Sequence, residues 1–287
     1  MKRKRIKFEA FSLHGFIDNE PIDYLALFQE LEGLNADERT AIIGGKMVAI
    51  AKLLSLNGIY YFTIYSGIKE ATILIYDTQT TEEQISSLPE GQLIARKVHG
   101  AVDPESRTAW IEANRLGASA SQIAELIEQA AKNTESFDGL DFNLNPKVGE
   151  GFMQAVEELN RIQNARLQIS RPNASWNDFH NDLTSVADDS NAHVVEVEAR
   201  ASRSQSLSKT AGLIRFLRQA TQVAYSPIKN AWVSGSRHGQ AGMITLNLNR
   251  FDETATVELP LDGGAVPESQ IREALGGIVN PQSDNDP

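Results

Sequence analysis

Glu196 and Glu198, in AHVVEVEARAS (192–202), have the two-residue spacing of a strand, which projects both carboxylates from one face. Carboxylates converging on a divalent ion are what a metal-dependent nuclease requires, usually with a lysine nearby. No lysine partners them and the tract that follows is acid-free, so the plainer reading is the solvent face of a half-exposed strand. In WNDFHND, Asp178, His180 and Asp182 stand at alternate positions. Such a set chelates a metal if extended and is a solvated turn or helix cap otherwise. The loop SGSRHGQAG (234–242) combines three glycines with Arg237 and His238. Ser234 and Ser236 lack a local acid to orient His238, so a hydrolase triad there is weak. The loop reads instead as a hairpin whose Arg237 and His238 extend a cationic surface.

The remaining histidines, His14, His99 and His193, are scattered and form no ligand pair, and no phosphate-loop, dinucleotide or nucleophile-elbow motif is present. No catalytic residue, cofactor or metal ligand is therefore assigned. Trp110, Trp176 and Trp232 are single aromatics in apolar contexts and are expected in the core. Trp232, close to the loop, is also placed to stack on a base.

The charge distribution says more than any motif. The 287-residue chain has a net charge of −11, which opposes nonspecific attraction to nucleic acid if spread evenly. It is not spread evenly. Residues 201–250 contain no Asp or Glu and carry Arg203, Lys209, Arg215, Arg218, Lys229, Arg237 and Arg250, a local charge of +7 that leaves −18 on the remainder. Lys2, Arg3, Lys4, Arg5 and Lys7 form a second cluster. Arg215 and Arg218 share a helix face, and the serines and threonines from Ser202 to Thr210 supply hydroxyl donors. Cations, small donors, glycine turns and a helix N-terminus make up a phosphate-backbone surface. The competing readings dock the basic tract on acidic surfaces of the same chain or of another subunit, or give it a small anionic ligand.

The elements that position these residues follow from periodicity. RIKFEAFSL (5–13) alternates as a half-buried strand, and PIDYLALFQELEGL spaces Tyr24, Leu27, Phe28 and Leu31 as a helix. KMVAIAKLLSL (46–56) and IYYFTIYSG (59–67) flank Asn57-Gly58, a strong hairpin signal. ATILIYDT reads as a strand, 81–88 as a short helix or turn, and QLIARKVHGAV and RTAWIEAN as strands. SASQIAELIEQAAK is a helix capped by Ser119 or Ser121, with Ile123, Leu126 and Ile127 inward and Glu125 and Glu128 outward. Then come a helix over 151–163, the strand ARLQISRP, a helical or irregular 176–189, the strand 192–202 and a helix over 208–225. Three strands (KNAWVSG, GMITLNLNRF and TATVELPL) and a closing helix PESQIREALGGIV complete the chain.

The expected fold class is α+β in two domains, each a mainly antiparallel sheet with a few helices. The boundaries are 1–135, an Asn/Asp/Gly-rich linker 136–150, a basic domain 151–279 and a disordered tail 280–287. The absence of cysteine excludes disulfides, thiol catalysis and Cys-ligated zinc. No apolar run nears the ~20 residues of a membrane span, and Lys7, Glu9 and His14 interrupt a signal-like start, so a cytoplasmic protein is expected.

Size and element order over most of the chain carry a resemblance. The segments are GKMVAIAKLLSLNGIYYFTIYSG, RTAWIEANRLGASASQIAELI, VVEVEARASRSQSLSKTAGLIRFLRQA and ESQIREAL. This layout resembles the sensor protein of the phage lambda Rex exclusion system and the DNA-binding subunit of the Kiwa defence system. The resemblance implies a homo-oligomeric, cytoplasmic DNA-binding protein that detects phage infection and signals to a membrane effector. It transfers no catalytic residue, and the net acidity departs from it. The combined expectation is a non-catalytic protein that binds nucleic acid, DNA in preference to RNA, through Arg203, Lys209, Arg215, Arg218, Lys229, Arg237, His238 and Arg250. Lys2, Arg3, Lys4 and Arg5 assist. The alternatives are the nuclease built on Glu196 and Glu198, or a protein–protein module.

Overall fold

The computed structural model describes residues 2–18, 20–68, 72–89, 92–147, 151–170, 194–221, 228–238 and 243–280. The first half runs β1 (Arg3–Ile17), β2 (Glu20–Pro21), α1 (Tyr24–Gly33), β3 (Thr40–Ile43), β4 (Lys46–Leu56), β5 (Ile59–Ile68), β6 (Thr72–Tyr76) and β7 (Glu83–Ser87). It continues through β8 (Ile94–Asp103), β9 (Thr108–Glu112), α2 (Ala120–Ala131) and β10 (Asp141–Pro146). The second half runs α3 (Gly151–Glu157), β11 (Arg161–Ser170), β12 (Val194–Arg200), α4 (Gly212–Thr221) and β13 (Ile228–Ser236). β14 (Ile244–Asn247), a 3-10 turn (Leu248–Arg250), β15 (Thr254–Pro260) and α5 (Glu268–Val279) complete it. The fold is α+β.

β1 organises the first sheet. Ile6, Phe8 and Ala10 are buried on one face and Phe11 and Leu13 on the other, so the strand needs cover on both sides. β9 lies along one edge. Along the opposite edge β15 pairs with residues 3–9 and β10 with residues 11–16. The sheet continues from β9 through β8, β5, β4 and β3. α1 and α2 cover one face with Leu27, Leu31, Ile123 and Leu126, and α5 covers the other with Ile271 and Leu275. Burying each of these large side chains stabilises the layer by about 1.5–3 kcal/mol.

Local chemistry agrees where the sequence was explicit. Asn57 (φ 53°) and Gly58 (φ 80°) form the left-handed pair of a tight hairpin between β4 and β5. Ser119 and Gln122 form a reciprocal capping box that starts α2. Glu125 faces solvent, whereas Glu128 accepts the Phe142 N–H at 2.7 Å and ties α2 to β10.

The second sheet, ordered β12-β11-β13-β14, is antiparallel and carries α3 and α4 on one face. Phe152, Val156, Ile162, Leu167, Phe216, Leu217, Ala231 and Val233 fill the space between. β6 and β7 form a separate two-stranded hairpin.

Several expectations are corrected. The stretch read as linker holds β10, because Phe137, Leu140 and Phe142 are core residues despite the Asn/Asp/Gly composition around them. Residues 254–279 pack on the first sheet, with Val257 opposite Ile6 and Ala255 opposite Phe8, so the basic half does not extend to 279 as an independent unit. Residues 83–87 are a strand set by the register of β6. α3 ends at Glu157 rather than near 163, because Ile162 and Leu167 enter the second sheet. The helix expected from Ser208 starts at Gly212. Lys2–Arg5 are not an arm but the exposed start of β1 and the residue before it. The WNDFHND cluster, Trp176, His193 and the tail from 281 lie outside the described residues.

Candidate nucleic-acid interface

The acid-free stretch wraps the second sheet. α4 buries Leu213, Phe216, Leu217 and Ala220, which turns Arg215 to solvent and leaves Arg218 at the rim of the helix. Arg218 reaches Glu157 on α3 at 3.1 Å, and Lys209 donates to the Glu157 carbonyl at 2.7 Å. Arg237, at the end of β13, pairs with Glu158 at 2.8 Å. Three of the expected phosphate contacts are thus held by neighbouring groups of the chain, as the internal-docking alternative anticipates. Both carboxylates are more than half exposed, at 57% and 52%, so these pairs sit in water and are weak.

Arg203, Arg215, Lys229 and Arg250 are exposed and have no ion pair among the described residues. They come from the segment before α4, from α4, from a bulge at the start of β13 and from the 3-10 turn. They therefore come from four separate elements of the second-sheet layer, not from one strand or one helix face. His238 is exposed in the turn after β13. The hydroxyls before α4 are partly committed: Ser206 accepts the Ile162 N–H at 3.0 Å, and Ser208 accepts the Thr210 N–H at 3.2 Å. The N-terminal cations sit on the first sheet, where Arg5 lies opposite Glu258.

The face of the second sheet away from α3 and α4 is polar. One cross-strand row reads Glu198, Arg166, Trp232, Asn247, and the rows beside it hold Glu196, Gln168 and Asn230, and Arg200, Asn164, Ser234 and Thr245. Trp232 is not a core residue. It is partly exposed, and the Arg166 guanidinium lies 5.2 Å from its ring centroid. Trp110 is buried under α5, as expected of a core tryptophan.

Glu196 and Glu198 do project from this one face, and both are occupied. Arg166 grips Glu196 through two nitrogens, at 2.6 and 2.7 Å, with Gln168 adding a third contact at 3.0 Å. Arg200 grips Glu198 at 2.9 and 3.0 Å, and Asn164 donates at 2.8 Å. These bonds hold both carboxyls below the usual carboxylate range. A metal would have to displace both arginines, and no set of metal-ligating side chains converges among the described residues. No known family model matches the chain, nor does any curated protein.

Arg166, Gln168 and Asn164, absent from the expected site, share the polar face with Trp232, and Arg166 lies against its ring. Their signal was available in the alternation of NARLQIS, with Ala165, Leu167 and Ile169 buried and the polar residues between them outward. A cleft of about 610 Å³ lies elsewhere, between the start of α1 and the β8–β9 turn. Its Asp23 and Asp103 are used in capping their own turns, and it holds one lining cation, Arg107, so it does not suit a polyanion. No helix among the described residues is long and apolar enough to cross a membrane.

Proposed function

We propose that this protein binds nucleic acid, DNA in preference to RNA, through the phosphate backbone, using the second sheet and its surrounding cations. The observation that carries the reading is the group Arg203, Arg215, Lys229 and Arg250: exposed, without a carboxylate partner among the described residues, and spread over the elements of the second-sheet layer, whose face away from α3 and α4 carries Arg166 over Trp232. Phosphate contact is the ordinary use of such unpaired cations, and an aromatic on the same sheet offers a base a stacking surface. The two guanidinium–carboxylate pairs on Glu196 and Glu198 favour binding over cleavage. On this reading the protein is a non-catalytic cytoplasmic sensor or regulator in prokaryotic anti-phage defence. It acts as a homo-oligomer that passes the signal to a membrane effector, in line with the resemblance to the Rex and Kiwa components.

Binding of a labelled duplex, followed by anisotropy against KCl, tests it. Four phosphate contacts give a log–log salt slope of about −3.6. Reversing Arg215 and Lys229 to Glu should remove most of the affinity at moderate salt. Equal binding by this variant would reject the assignment.

A further inference from the structure

A second cavity, about 210 Å³, opens on the first sheet beyond the reach of its helices and is lined by Lys46, Ser66, Ile68, Ile94, Arg96 and Leu116. The register explains how it forms. Val48, Ser66 and Arg96 stand in one cross-strand row, and Ile68 and Ile94 in the row two residues on. All project from the same face as the core residues Val48, Ile64 and Val98. The chain leaves this sheet after Ile68 and rejoins it at Ile94, and nothing on the described elements closes the end of the layer.

Three features make this a built site. Ser66 is 1% exposed, yet its Oγ has no hydrogen-bond partner among the described residues. A buried hydroxyl without a partner is unfavourable, and an acceptor supplied from outside would relieve it. Lys46 and the exposed Arg96 place positive charge beside it. Ile68, Ile94 and Leu116 remain 49%, 42% and 63% exposed and provide an aliphatic wall.

We infer that this cavity binds a short-chain aliphatic carboxylate as a free small molecule. The carboxylate lies against Arg96 and Lys46 and accepts a hydrogen bond from the Ser66 hydroxyl, while the aliphatic body covers Ile68, Ile94 and Leu116. An arginine fork matches a carboxylate through two parallel hydrogen bonds, and the volume is below the usual 300–1,000 Å³ of drug-sized sites, which selects a small ligand. The wall is too apolar for a bare inorganic anion. This inference is independent of the nucleic-acid reading.

Calorimetric titration of the full chain with hexanoate, acetate, hexanol and a leucine-terminated tetrapeptide tests it. Hexanoate should bind saturably, and acetate and hexanol at least about tenfold more weakly, the loss expected when one charge-assisted hydrogen bond or the aliphatic contact is removed. Arg96→Gln should weaken hexanoate by a similar factor. Ser66→Ala should also weaken it while raising the melting temperature of the free protein, because the unpartnered hydroxyl is gone; a purely structural serine would lower it. Hexanol binding as well as hexanoate, parental affinity in Arg96→Gln, or binding of the tetrapeptide but not of hexanoate would each overturn the inference.

Discussion

Glu157 and Glu158 compete with phosphate for two arginines, so removing their charge should improve nucleic-acid binding. In the parent, Arg218 and Arg237 are held by these carboxylates, whereas Arg203, Arg215, Lys229 and Arg250, the four assigned phosphate contacts, have no carboxylate partner among the described residues. Glu157→Gln with Glu158→Gln raises the number available to six. At about −0.9 per phosphate, the salt slope should steepen from about −3.6 to about −5.4. Between 50 and 200 mM salt the parent would then lose affinity about 150-fold and the double variant about 1,800-fold. The cost to stability should be small. Both pairs are exposed and worth at most about 1 kcal/mol each, and Lys209 keeps its bond to the Glu157 carbonyl. Anisotropy of a labelled duplex at several KCl concentrations reads the slope, and thermal denaturation checks the fold. A folded double variant with the parental slope would refute the idea that phosphate replaces these carboxylates.

Burial, reinforced by Glu9, raises the Asp252 carboxyl from 3.8 to about 6, and its Oδ1 has no hydrogen-bond partner among the described residues. The folded state therefore holds the extra proton, and this contribution to stability falls as pH rises from 3.8 to 6. A shift of that size is worth roughly 3 kcal/mol at most, and about 1 kcal/mol after allowing for solvent around a half-exposed group. Asp252→Asn should raise the melting temperature at pH 7.5 and change it little near pH 4; equal shifts at both would contradict this. His99 behaves oppositely. Burial, helped by the Lys97 charge, lowers it from 6.5 to about 4, so its contribution is complete above pH 6.5 and is lost as pH falls toward 4. Denaturant titrations of His99→Gln should show that dependence removed, and an unchanged pH profile would count against it. A Cβ on Gly100 would meet Phe62 Cζ at 2.2 Å and the Trp110 carbonyl oxygen at 2.7 Å. Gly100→Ala should therefore destabilise by about 1–3 kcal/mol in urea unfolding, and parental stability would show that the sheet yields there at little cost.

Local signals in the sequence were read correctly where short-range chemistry decides the structure. The Asn57-Gly58 turn, the Ser119 cap and the alternation of β1 each depend on neighbours within a few residues. β10 was hidden because its polar residues resemble a loop, while Phe142 and Leu144 face a core assembled from distant strands. The pairing of β15 with β1 joins the two ends of the chain, and no local pattern announces it. The acid-free tract was visible by counting, but its neutralisation was not. Arg218 and Arg237 meet Glu157 and Glu158 only because α3 packs on the same layer as α4 and ends beside them. The apolar neighbours of Trp232 suggest a core position, but β13 turns Ala231 and Val233 inward and Trp232 outward.

Photocrosslinking of a bromodeoxyuridine-substituted duplex, with the adducts located by mass spectrometry, tests the central claim most directly. Nucleic-acid binding around the second sheet places the adducts within residues 203–250, Trp232 included, and on Arg166. Adducts confined to residues 2–147, or none at a salt concentration where the duplex is bound, would contradict it.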